Sequence, residues 1–226
     1  MTREKFQDAL QRIELQLMSL GELAGASVQN AVRAVVEHDI TLAQAVIDGD
    51  DEIDLAYLAI EQDVLSVLAL QSPVAADLRL ISAILHSCLH LERVGDQAVN
   101  IAKIFLATKD LPSSAAIRTQ IQEMGDIVVR MIRTAMDAFA RRDMALCETL
   151  PVMDDPVDRL NRATHLEALK LADDPRALDW GMHMNMAARA LERVGDNAVD
   201  IGEQVGFLIT GEFREFTDAS HEVTRS

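Results

Sequence analysis

The sequence predicts an all-α protein made of two tandem, pseudo-symmetric three-helix bundles, with six long helices in all. Of its 226 residues, 49% are hydrophobic but only 4% are aromatic, a composition typical of helices packed on helices. Apolar residues recur every three or four positions, as between Leu78 and Leu89, and no segment alternates like a strand. The third observation is a repeat, because LERVGDQAVNI at residues 91–101 returns as LERVGDNAVDI at residues 191–201. A repeat of this length indicates that the chain contains the same unit twice.

Each half is expected to contain three long helices, at residues 4–38, 41–70 and 73–108, and then at 112–141, 144–171 and 175–209. Serine and aspartate are preferred at the N-cap of a helix, and proline is preferred in its first turn. This pair occurs three times, at Ser72–Pro73, Asp155–Pro156 and Asp174–Pro175. Pro112, followed by two serines, marks the start of the fourth helix. Pro151 falls inside the fifth helix and is expected to kink it or to delay its start until Pro156.

The two halves also match outside the repeated segment. EHDITLAQAVIDGDDEID, residues 37–54, aligns without a gap with RRDMALCETLPVMDDPVD, residues 141–158, which places Asp54 opposite Asp158. We therefore predict one three-helix unit at residues 1–109, a second at 110–212, and a polar C-terminal tail at 213–226.

The formal net charge of −16 argues against nucleic acid as a partner, because phosphate binding needs a basic face. Such an acidic chain suits divalent cations or basic partner surfaces, and it equally suits a solvated acidic exterior. The two cysteines, Cys88 and Cys147, lack the spacing of a metal or redox motif, which favours a reducing compartment. Charges run through the N-terminal segment, and no apolar run is long enough to span a membrane, so we expect a cytoplasmic protein.

The repeated segment carries an acidic ridge in each half. The ridge residues stand four positions apart, which places them on one line along a helix, and they are Glu92, Asp96 and Asn100, then Glu192, Asp196 and Asp200. Like charges at this spacing cost about 0.2–0.5 kcal/mol per pair, so helix energetics alone do not favour the ridge. On a helical wheel the ridge continues an apolar seam, where carboxylates must be paired, protonated or metal-bound.

Two interpretations of the ridge remain open. In one, the acids hold a metal ion, and ligands that are all oxygen favour magnesium, manganese, calcium or iron over tetrahedral zinc. None of the six histidines has a glutamate three residues before it, so the ferritin-like di-iron pattern is absent. In the other, arginines from neighbouring helices neutralise the acids, and Arg189 stands where it could do so in the second half.

The sequence contains no recognisable catalytic motif. It has no glycine-rich phosphate loop, no Ser-His-Asp or Cys-His arrangement, and no nucleotide fingerprint. We therefore expect a protein that is not an enzyme. The alternatives are a metal-dependent phosphatase-like enzyme with a two-metal site, and a purely helical scaffold whose acids are neutralised internally.

Several motifs resemble one known family. LERVGDQAVNIAK and LERVGDNAVDIGE, with LALQSPVAADLRLI before the first and LITGE at the end of the last helix, resemble the PhoU family of phosphate-transport regulators. The resemblance implies two pseudo-symmetric three-helix bundles, a cytoplasmic and often dimeric protein, and no catalytic activity. It also implies a negative regulator of the phosphate-starvation response that connects the ATPase subunit of the phosphate ABC transporter to a membrane sensor histidine kinase.

The resemblance further implies metal sites on the repeated motif, since some members hold iron or zinc clusters there. The expected ions are iron, zinc, manganese or magnesium. Carried over by position, the ligands are Glu92, Asp96 and Asn100 in one site and Glu192, Asp196 and Asp200 in the other, with Asp54 and Asp158 as additional ligands. Asp77 and Arg79 match the family's DLR motif, where an ion pair or a partner contact is expected. The second half reads DDPRALDWG instead of SPVAADLR, so that surface is not duplicated.

Overall fold

The computed structural model describes residues 3–70 and 73–216, and all of the regular secondary structure in those ranges is helical. The prediction of an all-α protein is therefore confirmed. The helices are α1 (Arg3–Glu37), α2 (Ile40–Asp48), α3 (Asp50–Leu70), α4 (Ala75–Thr108), α5 (Ala115–Arg141), α6 (Met144–Leu169) and α7 (Pro175–Thr210).

The second predicted helix is interrupted at Gly49. This glycine keeps a right-handed helical backbone, with φ −84° and ψ −5°, and its N–H donates to the carbonyl of Ala45 at 3.0 Å. A glycine costs about 1 kcal/mol inside a helix relative to alanine, so it is a natural place for such a break. Since only one residue separates α2 from α3, the two form a single interrupted rod, and the count of six long rods holds.

The helix starts follow the predicted caps in some places and not in others. Asp174 caps α7, with Pro175 in its first turn, as expected. The start of α5 moves from Pro112 to Ala115, because the Ser114 hydroxyl accepts the capping hydrogen bond. The start of α4 moves from residue 73 to residue 75, and Ser72, predicted as its cap, lies outside the described residues.

The fifth predicted helix begins at Met144, so the delayed start at Pro156 is wrong. Pro151 and Pro156 both lie inside α6. Asp143 nucleates this helix, because its carboxylate accepts from the backbone N–H groups of Ala145 and Leu146. Proline disfavours the interior of a helix, but tertiary packing outweighs this preference here. The early turns of α6 are buried at Leu150 and Pro151.

Replacing the cap tests this account of α6. We expect Asp143→Ala to lower the free energy of unfolding by about 1 kcal/mol, because it leaves two N–H groups of the first turn without their acceptor. Thermal unfolding followed by circular dichroism measures the change. Asp137→Ala is the control, since Asp137 is exposed and makes only a loose pair with Arg141 at 3.9 Å. Equal effects of the two changes would show that Asp143 does not nucleate the helix.

Each half of the chain is a three-rod bundle, as predicted. In the first half α1 packs against α4 and against the rod of α2 and α3, and in the second half α5, α6 and α7 pack against one another. Contacts between α4 and α7 and between α1 and α5 join the halves. The segment between α4 and α5 contains the predicted boundary at residue 109, which stays a prediction. No helix within residues 3–70 and 73–216 is long and apolar enough to cross a bilayer.

Candidate functional site

Four carboxylates gather where α3 meets α4, and we call them the first acid cluster: Asp50, Asp54, Glu92 and Asp96. Burial raises the pKa of Glu92, and the charges of Asp96 and Asp54 raise it further, against an opposing effect of Arg93. Burial also raises the pKa of Asp50, as do Asp54 and Asp96, while Lys103 lowers it. Carboxylates that perturb one another in this way lie close together and share one electrostatic environment.

The backbone of α4 allows α3 to approach at this point. An ideal Cβ at Gly95 would lie 3.0 Å from Ile53 Cδ1, which is too tight for ordinary packing. The glycine therefore lets the first turns of α3 lie against α4, one residue from Asp96. The N-terminus of a helix favours negative charge, which helps to offset the repulsion among the acids of α3.

The second acid cluster comprises the corresponding residues of α6 and α7, Asp154, Asp158, Glu192 and Asp196. Asp154 is only 4% exposed, and its Oδ1 lies in the space that a Cβ at Gly195 would take. The Asp158 side chain is 20% exposed, and its Oδ2 is 3.7 Å from Arg162 Nη1. The second cluster is therefore more deeply buried than the first, and it includes a cation at its edge.

The two ridges lie at the boundary of the core rather than within it. Glu92 and Glu192 are half-buried, as the apolar seam predicts. Asp96, Asn100 and Asp196 are exposed, so for them the prediction of a position on the seam is wrong. Water therefore reaches the two carboxylates and the Asn100 amide.

The last ridge position of the second half contacts the first half. Asp200 Oδ2 lies 3.4 Å from His90 Nδ1, and the same nitrogen donates to Asn197 Oδ1 at 2.9 Å. Any ligand role of Asp200 therefore competes with this contact. Asn100 instead lines a groove beside Ala190. His90 thus lies near residue 200, and Asn100 lies near residue 190. The helices α4 and α7 therefore run antiparallel.

Asp50 and Asp154 are members of the clusters that the sequence prediction missed. Each stands one turn before a predicted additional ligand, Asp54 or Asp158, on the same helix. The signal was present in the alignment of the two halves, because both carry an acidic doublet at this position. Spacing along α3 and α6 would have placed Asp50 and Asp154 on the ligand side.

The structure places Asp77 and Arg79 near the start of α4, apart from both clusters. Asp77 Oδ2 lies 2.9 Å from Arg3 Nη1, and its side chain is 12% exposed. Gln7 Nε2 also donates to Asp77 Oδ1, at 3.5 Å. Arg79 reaches toward Gly211 at the end of α7. These contacts connect helix ends, and a role in binding a partner stays a prediction.

The donor set of the clusters fits a hard cation by charge and by atom type. All eight side chains are carboxylates, the ligands that magnesium, manganese and iron accept readily. Within residues 3–70 and 73–216, however, no three His, Cys, Asp or Glu side chains are arranged as a ready ligand sphere. Zinc is less well matched, since Cys88 and Cys147 are buried and burial raises their pKa values to about 12 and about 11.

Fold and clusters together define a class: a helical protein built from a duplicated three-helix unit, with an acid cluster at the equivalent place in each copy. The sequence model of the PhoU domain matches residues 17–105 and 121–205. The chain therefore belongs to the PhoU family, which confirms the resemblance and the duplication.

Named relatives and solved structures agree with this assignment. The chain is 34% identical to the phosphate-specific transport system accessory protein PhoU homolog of Pseudomonas putida, over 96% of this chain and 84% of the relative. It is 32% identical to the PhoU homolog of Caulobacter vibrioides, over 93% of this chain and 92% of the relative. The crystal structure of PhoU from Pseudomonas aeruginosa superposes with a TM-score of 0.87 at 34% identity, covering 92% of this chain and 100% of that one. The crystal structure of the phosphate transport system regulatory protein PhoU from Streptococcus pneumoniae superposes with a TM-score of 0.85 at 28% sequence identity, covering 92% of this chain and 99% of that one.

Proposed function

We propose that this chain regulates phosphate transport as a cytoplasmic adaptor, without catalysis. It would link the ATPase subunit of the phosphate ABC transporter to a membrane sensor histidine kinase, and it would hold the phosphate-starvation response off while phosphate is plentiful. The observation that carries the proposal is the match to the family over both halves, with relatives named accessory proteins of a phosphate-specific transport system.

The acid clusters support a metal-dependent form of this role. Asp50, Asp54, Glu92 and Asp96 would hold one cation, and the second acid cluster would hold another. A bound cation supplies positive charge that relieves the repulsion among these carboxylates. Gly95 on α4 and Gly195 on α7 allow the close approach of α3 and α6, respectively. Acids from two helices could therefore contact one ion in each cluster.

We further propose that the adaptor works as a homodimer. One face of α3 exposes leucines, with Leu55 at 67%, Leu58 at 46% and Leu65 at 63%. These positions fall on one side of the helix. Apolar stripes of this kind favour a contact with another protein surface, and a second copy of the chain offers the same stripe.

Purified components test the adaptor. Protein purified without chelators is assayed for metal by elemental analysis, and its binding to the ATPase subunit and to the kinase is measured with and without chelator. We expect bound iron, manganese or magnesium, and weaker binding to both partners after chelation. The variant Glu92→Ala/Asp96→Ala/Glu192→Ala/Asp196→Ala should lose the metal, whereas Asp8→Asn/Glu123→Gln, which removes exposed charges elsewhere, should keep it.

The two parts of the proposal fail in different ways. Unchanged binding of the chelated protein to both partners would remove the metal from the mechanism and leave the adaptor. Failure of the metal-loaded protein to bind either partner would refute the adaptor itself.

A further inference from the structure

A basic groove lies between α4 and α7, at the end of their contact opposite His90. Its volume is about 540 Å³, within the range of about 300–1,000 Å³ that is typical of small-molecule sites. Its lining includes three cations, Lys103 from α4 and Arg189 and Arg193 from α7, together with the amides of Gln97 and Asn100. Three positive side chains around one groove stand out in a chain with a net charge of −16.

The groove lies where the two halves differ in sequence. The halves are offset by one hundred residues here, so Ala190 stands where the first half has His90. At one end of the α4–α7 contact, His90 fills the space and meets Asn197 and Asp200. At the other end, the small Ala190 leaves the equivalent space open, and Gln97 and Asn100 line it.

Arg189 and Arg193 each precede an acid of the second acid cluster by three residues, Glu192 and Asp196, a spacing at which opposite charges stabilise a helix. Arg189 and Arg193 stand four residues apart on α7, a spacing at which like charges destabilise a helix. Within the two ranges that the structure describes, neither arginine forms a salt bridge, and both side chains are exposed. A guanidinium group presents a planar set of donors that matches two oxygens of a phosphate.

A second cavity of about 510 Å³ shares Arg189 and extends the basic surface, with Arg162 and His165 in its lining. Arg189 therefore stands between two recesses. The combined space admits a free phosphate, and it also admits a phosphate carried by a larger molecule such as a nucleotide.

Gln97 also lines the groove, but its Oε1 is buried away from the open space. A ligand in the groove is therefore held by the three cations and not by this oxygen. The oxygens of a phosphate group accept from guanidinium and ammonium donors of this kind.

We propose that the groove between α4 and α7 binds a phosphate group, held by Arg189, Arg193 and Lys103. No residue of this site belongs to either acid cluster, but Lys103 lies close enough to Asp50 of the first acid cluster to lower its pKa. The site is a property of this chain alone and does not depend on the adaptor role.

Calorimetric titration of the full chain with inorganic phosphate, ATP and sulfate tests the proposal. We expect binding of phosphate or ATP that weakens at least about tenfold in Arg189→Gln/Arg193→Gln, because two charge-assisted contacts are lost. Arg12→Gln/Arg141→Gln removes the same charge from exposed positions elsewhere and should leave binding unchanged. Ala190→His should abolish binding without removing any cation, since it fills the groove. Circular dichroism confirms that each variant is folded.

The three ligands separate the sources of the phosphate group. Tighter binding of ATP than of phosphate assigns the site to a nucleotide, and equal or tighter binding of phosphate assigns it to the free ion. Sulfate that binds as tightly as phosphate and ATP would overturn the assignment to a phosphate group. The proposal is wrong if neither phosphate nor ATP binds at millimolar concentration, or if the two arginines can be replaced without loss.

Discussion

Changing Gly195 to alanine is expected to destabilise the protein by about 2 kcal/mol, as the net of two opposing effects. Alanine is the better helix former by about 1 kcal/mol. The added methyl group, however, would occupy the place of Asp154 Oδ1. Overpacking a filled site costs about 1–3 kcal/mol, and the displaced carboxylate is itself buried. In a chain of this length, a loss of about 2 kcal/mol lowers the melting temperature by about 4–8 °C.

The first half provides the matched control, Gly95→Ala. There the new methyl group would meet Ile53 Cδ1 at 3.0 Å, and this side chain on α3 can move by a few tenths of an ångström. We expect a change within about 1 kcal/mol, because the gain in helix propensity offsets the tighter packing. Thermal unfolding of both variants decides the matter. If they unfold at the same temperature, contact with Asp154 is not what requires a glycine at residue 195.

Removing two charges from the first acid cluster is expected to stabilise the metal-free protein. Asp50 and Glu92 have raised pKa values in the folded chain. The folded state therefore binds protons more tightly than the unfolded state, and stability falls as the pH rises from about 4, the usual range for a carboxyl, through the folded values. At pH 7, Asp50→Asn/Glu92→Gln should remove this cost. Since both groups are partly screened by solvent, we expect a gain of about 1–2 kcal/mol.

The pH dependence separates this explanation from a general effect of net charge. The gain should shrink toward zero below about pH 4, where both carboxyls are protonated in the folded and the unfolded wild type. Asp8→Asn/Glu123→Gln changes the net charge equally at exposed positions and should give no comparable gain. A melting temperature of Asp50→Asn/Glu92→Gln that lies at or below that of the wild type at pH 7 would refute the cost assigned to the cluster.

Most of the fold could be predicted because its signals are local. The apolar period of three to four and the repeated segment predict the helices and their duplication without any knowledge of packing. Asp174 before Pro175 marks the start of α7 correctly, since capping involves only neighbouring residues. The same pattern at Asp155–Pro156 is wrong, because the burial of Leu150 and Pro151 extends α6 past both prolines. That burial depends on α5 and α7, which local spacing does not reveal.

For the candidate site, too, local spacing predicts one part and helix packing determines the other. The ridge residues follow from spacing along one helix. Their partners on α3 and α6 do not, since Asp50 and Asp154 reach the clusters only through the approach of two helices at Gly95 and Gly195. The contact of His90 with Asp200 and the basic groove beside Ala190 depend on how the two halves pack. The spacing of apolar residues predicts neither the direction of α7 relative to α4 nor the space left by Ala190.

The antiparallel pairing of α4 and α7 has a consequence for how such a protein can change. Two separate copies of one unit, related by a true two-fold axis, would have identical contacts at both ends of this pair, and any substitution would appear twice. Joining the copies in one chain removes that constraint. One end could then become a fixed joint through His90, while the other stayed open and carries Arg189 where the first half has Leu89. The duplication thus converts a symmetric seam into one with a closed pole and an open pole.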